Sequence, residues 1–316
     1  MIVYTELSTI EATLGIPIAT LFAVSNHLSA HYKRVKLPKR DGTERELRVP
    51  DQILKRIQRA IAQRLLAYEP ISPYAQAYRY GASVQANARP HVGREKLLKL
   101  DIKHFFDSIL YSAVKEKCFP KERFSEPIRI LLSMLCYFED ALPQGAPSSP
   151  SISNIIMRDF DREVGDYCRA REINYTRYCD DMTFSGHFDE RAVIEFVKNT
   201  LFRYGFLLNR RKTAVIPAQK RQVVTGVVVN EKLNVSSDYK RRIRQELYYC
   251  KKYGVAAHLQ RIGAPADEID YLQSLLGRIA FVLQTVPSDP ACLNCRNEAL
   301  ELLKLARTGK NKQIKI

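Results

Sequence analysis

Nowhere in these 316 residues does an apolar run approach the roughly 18 residues of a membrane-spanning helix. Met1–Ile10 also lacks the basic and then apolar stretches of a secretory leader. A soluble, cytoplasmic protein with no membrane partner is therefore expected. Seven cysteines, at 118, 136, 168, 179, 250, 292 and 295, form an odd and scattered set. Without a secretory signal, that set argues for reduced thiols rather than a disulfide framework. Cys292 and Cys295 have the spacing of half a zinc site, but no second pair or nearby histidine completes it, so ordinary packing is the expected role. No repeat of 20–50 residues and no low-complexity linker divides the chain, which excludes solenoids and beaded domains. Acidic residues are the other shortage. Fifty Lys and Arg stand against 34 Asp and Glu, a formal charge of +16, and the excess runs along the whole chain. Such a balance points to a polyanionic partner, nucleic acid ahead of an acidic membrane surface.

Within this length there is room for two or three closely packed subdomains. Residues 6–30 carry apolar side chains at helical spacing, and "HYKRVKLPKRDGTERELRVP" reads as a basic β-hairpin turning at Asp41-Gly42. Then "DQILKRIQRAIAQRLLA" predicts an amphipathic helix capped by Asp51, with Ile53, Ile57, Ile61 and Leu65 on its apolar face. In "EKLLKLDIKHFFDSI" a buried strand is predicted, delivering Asp101 near its C-terminal end. After a helical stretch through Tyr137, Gly145, Pro147 and Pro150 forbid regular helix until about Ser151, from which a helix runs to Arg171. "INYTRYCDDMTFSG" reads as two short strands with Cys179-Asp180 or Asp180-Asp181 at the turn.

Three carboxylates, Asp101, Asp180 and Asp181, thus sit on or beside strands in a cationic chain. Phosphoryl transfer to a polynucleotide end needs an activated hydroxyl and a stabilised leaving pyrophosphate. Two Mg²⁺ roughly 4 Å apart supply both. Hard Mg²⁺ prefers carboxylate oxygens, so neither His nor Cys is required. An Asp-Asp pair in a turn is, on its own, usually a solvated loop; the strand context of all three acids sets this one apart.

These residues also carry a resemblance. "YCDD" at 178–181 resembles the Tyr-x-Asp-Asp motif of reverse transcriptases, "LDIKHFFDSI" their first catalytic block, and "LPQGAPSSPSISN" the block between them, in the family's order. "GFLLNRRKT" and "VVTGVVVN" extend the likeness to roughly residues 45–230. Asn87-Ala88-Arg89-Pro90-His91 and Val224-Thr225-Gly226 resemble two signatures of bacterial retron reverse transcriptases. The length also suits fingers, palm and thumb without a further catalytic domain.

The resemblance implies an α+β right-hand polymerase: N-terminal helices and fingers over 1–95, a palm over 96–234 whose antiparallel sheet carries the aspartates, and a helical, RNA-binding thumb over 235–316. Asp101, Asp180 and Asp181 would be catalytic and, with the backbone carbonyl of Ile102, would hold two Mg²⁺. Phe106 matches the residue that excludes a ribose 2′-hydroxyl and so selects dNTPs, although one of Phe105 and Phe106 is also expected in the core. Gln144 and Gly145 match a loop lying against the nucleotide. Lys212 matches a lysine that approaches the leaving pyrophosphate, with Arg210 and Arg211 competing. Arg45 matches a fingers arginine for the triphosphate, assisted by Lys39 and Arg40. Cys179 departs from the alanine more usual at its position, and two adjacent carboxylates should disfavour its thiolate.

In "SSDYKRRIRQELYYCKKYG" a helix capped by Ser237 is predicted, whose Lys240, Arg241, Arg242, Arg244, Tyr248 and Tyr249 combine charge for phosphates with rings for unpaired bases. A solvated helix face is the plain reading of such a run; its position matches the RNA-recognising thumb of retron enzymes. Asn87, His91, Thr225 and Gly226 belong to signatures that could also help hold RNA. The implied partners are dNTPs, a cognate noncoding RNA, its branched msDNA product primed from a guanosine 2′-hydroxyl, and a separate toxic effector in phage defence. A metal-dependent nuclease would use the same acids but leaves Phe106 and Gln144 without a task. An RNA-binding scaffold or antitoxin component would need none of the acids.

Overall fold

A computed structural model of the chain describes residues 3–38, 42, 44–264 and 267–313. In chain order, α1 (Leu7–Leu14) and α2 (Ile18–Asn26) precede the strands β1 (Tyr32–Pro38) and β2 (Glu44–Pro50), followed by α3 (Gln52–Ile61) and the short α4 (Val84–Ala88). The next stretch comprises β3 (Lys96–Lys103), α5 (Tyr111–Cys118), α6 (Glu126–Cys136), α7 (Ser149–Ile156) and α8 (Arg158–Arg169). Then come β4 (Asn174–Tyr178), β5 (Asp181–Gly186), α9 (Glu190–Arg203), β6 (Leu207–Leu208) and β7 (Ala214–Pro217). The chain closes with β8 (Val223–Val224), β9 (Val227–Val228), α10 (Ser237–Tyr253), α11 (Val255–Ile262), α12 (Glu268–Thr285) and α13 (Pro290–Gln313). Among the described residues no single helix is long and apolar enough to cross a membrane.

The chain forms two compact units, Met1–Ser83 with Glu95–Ile216, and Val84–Arg94 with Pro217–Ile316. This division differs from the expected boundaries at 95 and 234. The segment around α4 and the β8–β9 hairpin belong with the C-terminal helices, because α4 packs on β8 and β9 rather than on the strand that follows it in sequence.

In the first unit the antiparallel sheet has the order β4-β5-β3-β6, with β7 also paired to β3. Alternation along β3 sends Leu98, Leu100 and Ile102 into a core shared with Met182 and Phe184 of β5 and with Phe160 and Val164 of α8. Asp101 lies on the opposite face. The β1–β2 hairpin pairs Tyr32 with Pro50 through to Pro38 with Glu44; of its turn, only Gly42 lies within the described residues. Asp51 caps α3 as expected, its Oδ1 accepting from the Leu54 N–H at 2.9 Å. The apolar face of α3 is corrected by one residue. Ile53 is 40% exposed and Leu54 is buried, because the buried set follows Leu54, Ile57, Ile61 and Leu65. The helix predicted from about Ser151 starts at Ser149, with Pro150 in its first turn, and is broken at Met157 into α7 and α8.

In the second unit α10, α12 and α13 bury Ile243, Leu247, Leu275, Ile279, Val282 and both Cys292 and Cys295 in one cluster. Those two cysteines are core residues. The cap of α10 is Ser236, not Ser237: its Oγ accepts from the Tyr239 N–H at 3.3 Å. β8 and β9 are joined by Thr225-Gly226, both at positive φ (46° and 86°), the pattern of a two-residue type I′ turn. A β-branched residue there is disfavoured by about 1–2 kcal/mol. Asn87 of α4 supports it, its Nδ2 donating to Thr225 Oγ1 at 3.3 Å while that hydroxyl donates to the Val84 carbonyl at 3.2 Å.

Candidate active site

A cleft of about 1230 Å³ in the first unit is lined by β2, the end of β3, the β4–β5 turn and the segment after β6. Asp101 pairs directly with Asp181 across β3 and β5, while Tyr178 pairs with Asp181 from β4, leaving Cys179 and Asp180 as a two-residue hairpin loop. Of the two turns allowed by sequence, this is the one formed. The Asp180 carbonyl accepts from the Ile102 N–H at 3.1 Å, which ties the loop to β3. The three carboxylates expected to act together thus converge from adjacent backbone positions. Ile102 also lines the cleft; its side chain is in the core, so the backbone is what it can offer to the site.

Asp101 is 3% exposed, a costly place for a carboxylate unless it meets cations and donors. Lys212 Nζ donates to its Oδ2 at 2.6 Å and Asn209 Nδ2 to its Oδ1 at 2.8 Å. That contact with Asp101 raises the Lys212 ammonium above its ordinary pKa, so the lysine stays protonated. The Asp181 carboxyl is raised above its ordinary value, first by loss of water around it and then by the charges of Asp180 and Asp101. Carboxylate oxygens are the donors that hard divalent cations prefer, but in this arrangement Asp101 is engaged by Lys212 and Asn209, and among the described residues no group of three or more His, Cys, Asp and Glu side chains is arranged to hold a metal ion. Asp101, Asp180, Asp181 and the Ile102 carbonyl, the oxygen groups expected to serve a cation, all belong to residues that line this cleft.

Phe105 is 3% exposed and packs on Phe206, while Phe106 is only partly buried and lines the cleft beside Asp101. The pair of aromatics divides into one core residue and one cleft residue. Gln144 lines the cleft, and its carbonyl accepts from the Arg48 N–H at 3.1 Å. Gly145 serves the close approach itself. It has φ +113°, and an added Cβ would lie 3.2 Å from the Arg48 carbonyl, so its freedom seats the loop on β2. Arg210 and Arg211 line the cleft with Lys212, but the ion pair with Asp101 is made by Lys212. Arg45 is in β2 opposite Leu37; its side chain lies outside the described residues, as do Lys39 and Arg40 entirely.

Arg48, Asn209 and Tyr78 are among the cleft residues that sequence reasoning missed. Arg48 lines the cleft from β2, its Nε 3.2 Å from a Glu139 carboxylate oxygen. Asn209 stands inside the quoted "GFLLNRRKT" block, where an amide three residues before the lysine was the available signal. Tyr78, at φ 58°, places its hydroxyl against the Cys179 thiol, and nothing in its local sequence marks it. Cys179 is 8% exposed, and burial first, then Asp180, pushes its thiol up to about 12, in the direction expected. His27 and His31 have an i, i+4 spacing but no common ligand: His31 Nδ1 lies 2.8 Å from Asp51 Oδ2 and His27 Nδ1 3.1 Å from the Ala23 carbonyl.

Among the residues expected to meet RNA, Asn87 is 1% exposed and His91 is fully buried, its imidazole held neutral by burial with a pKa near 3. That placement corrects the expectation of direct contact: both side chains are inside the unit, and Asn87 acts on the Thr225-Gly226 turn. On α10, Arg242 and Arg244 are exposed and make no ion pair with a described residue, whereas Lys240 is paired with Asp289 and Arg241 with Asp238. Tyr248 is half exposed, with Lys252 Nζ 5.6 Å from its ring centroid, and Tyr249 packs edge-on against it at 5.7 Å.

Residues 37–265 match the family described as reverse transcriptase (RNA-dependent DNA polymerase). The chain is 33% identical over 276 residues to the retron Mx65 reverse transcriptase of Myxococcus xanthus, a match covering 79% of this chain and 64% of that protein. It is also 33% identical over 270 residues to the retron Ec83 reverse transcriptase of Escherichia coli, covering 79% of this chain and 82% of that one. A foamy viral protease-reverse transcriptase in complex with double-stranded DNA is similar at 13% identity and a TM-score of 0.45, over 96% of this chain and 50% of that one, a likeness too distant to carry any argument.

Proposed function

The chain belongs to the retron reverse transcriptases, within the reverse transcriptase (RNA-dependent DNA polymerase) family, and from that premise we propose that it copies part of a cognate noncoding RNA into single-stranded DNA. The observation that carries this reading is the facing of Asp101 and Asp181 beside Asp180, in a cleft that also contains Phe106, Gln144 and Lys212. A nuclease has use for the acids alone.

Two Mg²⁺ bound by these acids would activate the attacking hydroxyl and stabilise the leaving pyrophosphate. The protein's own groups do the rest. Lys212, protonated and beside Asp101, is placed to neutralise or protonate the pyrophosphate oxygen as it departs. Gln144 and the Gly145 loop, fixed on β2, set the wall against which a base pair lies. Phe106 occupies the space in which a ribose 2′-hydroxyl would sit. Phe106→Ala is expected to raise incorporation of ribonucleotides relative to deoxyribonucleotides about ten- to hundredfold, about 1.4–2.8 kcal/mol of discrimination lost, measured by single-nucleotide extension with each.

Priming from a guanosine 2′-hydroxyl, giving a branched RNA–DNA product, belongs to the same reading, with the exposed face of α10 as the RNA-holding surface and a separate effector protein as the partner in anti-phage defence. The test is to purify the protein from its native locus and sequence the bound nucleic acid before and after debranching. DNA that is freed from RNA only by debranching is the expected result. Linear DNA without attached RNA would remove retron-type priming; RNA cleavage without dNTP incorporation would replace polymerase by nuclease. Full biological activity in Asp180→Ala/Asp181→Ala would favour a scaffold.

A further inference from the structure

Among the side chains in the first unit, Arg177 is completely buried and has no place in the chemistry described so far. It is the residue before Tyr178 on β4, and all three of its guanidinium nitrogens donate hydrogen bonds. Nε donates to Asp161 Oδ1 at 2.7 Å and Nη2 to Asp161 Oδ2 at 2.6 Å, a two-point pair with a carboxylate that is itself completely buried. Asp161 also accepts from the Tyr175 hydroxyl at 2.9 Å. Nη2 further approaches Asn154 Oδ1 at 3.4 Å. The remaining arm is the informative one: Nη1 donates to the carbonyl of Cys179 at 2.9 Å.

That carbonyl belongs to the peptide joining Cys179 to Asp180. Cys179 has φ 61°, at the first position of a two-residue hairpin loop where glycine is the residue that fits without strain. A peptide plane held in such a conformation needs an external restraint, and its rotation would swing the Asp180 carboxylate. The loop is restrained on both sides, by Arg177 at the Cys179 carbonyl and by the Ile102 N–H at the Asp180 carbonyl. Tyr78 lines the cleft together with Cys179, and the backbone just before Tyr78 is fixed by Asn154, whose Nδ2 donates to the Ala77 carbonyl at 2.8 Å. Asn154 ends the quoted block "LPQGAPSSPSISN" and Asp161 lies on α8, so α7 and α8 meet the catalytic turn through one guanidinium.

A buried ion pair is poor value as a stabilising device, since two well-packed apolar residues usually serve as well or better. Its geometric role is what apolar residues cannot replace. We propose that Arg177, locked by Asp161, is a positioning residue for nucleotidyl transfer: it fixes the Cys179–Asp180 peptide plane and so aims Asp180 at the metal site. The inference rests on reading the cleft as a nucleotidyl-transfer centre.

The test uses the full chain with Asp161→Leu/Arg177→Met, which removes both buried charges at once, and with Arg177→Lys, which keeps a cation beside Asp161 but cannot also reach the Cys179 carbonyl. Melting temperature, steady-state extension of a DNA primer on homopolymer RNA, and Mn²⁺ binding followed by electron paramagnetic resonance are measured for each. Expected are a melting temperature at or above that of the parent for the double variant, kcat about a hundredfold lower with KM for the dNTP within threefold, and Mn²⁺ affinity at least tenfold weaker. Arg177→Lys, the safeguard should the double variant not fold, is expected to lose kcat about tenfold with the same unchanged KM. A folded double variant, or a folded Arg177→Lys, with kcat and Mn²⁺ affinity within threefold of the parent overturns the proposal. If the parent itself incorporates no nucleotide, the polymerase reading falls, and Mn²⁺ binding decides the positioning role on its own by the same margins.

Discussion

Asp180→Asn is expected to lower nucleotide incorporation at least about a thousandfold, roughly 4 kcal/mol of transition-state stabilisation, while leaving the protein folded and slightly more stable without divalent ions. The activity loss follows from geometry. Asp180 is one of three carboxylates on adjacent backbone positions around the end of β3, and an amide cannot replace the charge that a hard cation requires. The stability gain follows from electrostatics. Asp181 has its carboxyl raised above the ordinary range in part by Asp180, so the folded state works against this pair of charges, and neutralising one relieves it. With cations absent, a gain of about 0.5–1 kcal/mol corresponds to a rise of about 1 °C in melting temperature. Primer extension and a thermal melt with chelator check both halves on one preparation. A variant that lost activity by unfolding would melt lower, and one that kept activity would remove Asp180 from the site. Asp101→Asn should differ in sign on stability, because Asp101 is already matched by Lys212 and Asn209 and its neutralisation leaves Lys212 without a partner.

The second large effect is expected on the other unit. Arg242→Glu/Arg244→Glu should weaken binding of the cognate RNA about a hundredfold or more and make its salt dependence shallower by roughly 1.4 in log–log slope, the amount for two single-stranded phosphate contacts. These two arginines are chosen on structural grounds. Lys240 and Arg241 look equivalent in sequence, but they are matched by Asp289 and Asp238, whereas Arg242 and Arg244 are exposed and make no ion pair with a described residue. Lys240→Ala is accordingly expected to cost stability through Asp289 and Asn234 more than RNA affinity. Titrations at several salt concentrations separate the two. Extension of a generic primer on homopolymer RNA should fall less than tenfold in the double variant, since the cleft is built within the first unit.

Much of the site was legible because its elements are local. A strand carrying an aspartate near its end, a glycine- and proline-rich loop before a helix, and a two-residue turn at one of two positions around Asp180 each follow from short-range rules of pleat, propensity and turn chemistry; the pairing of Asp181 with Asp101 and Tyr178 chose between the two turns. Where reading failed, the deciding contact was long-range. Ile53 and Leu54 both fit an amphipathic helix to within one position, and only the packing around α3 selects Leu54. Ser236 and Ser237 are equally good caps by type, and the backbone angle decides between them. Asn87 and His91 have the polarity of ligand-binding side chains; burial inside the second unit turns Asn87 into a support for Thr225.

By itself, the sequence determined the class of chemistry: acids of the kind that bind hard cations, on a strand and a hairpin, in a chain too basic for most partners but nucleic acid. Tertiary structure decided which groups serve those acids. Arg177 is followed by Tyr178 and preceded by Thr176, an unremarked position on a short strand, and its pairing with Asp161, Asn154 and the Cys179 carbonyl exists only once α7, α8 and β4 are packed. A charge can be read from a letter, but the low-dielectric interior that makes its direction matter is created by folding.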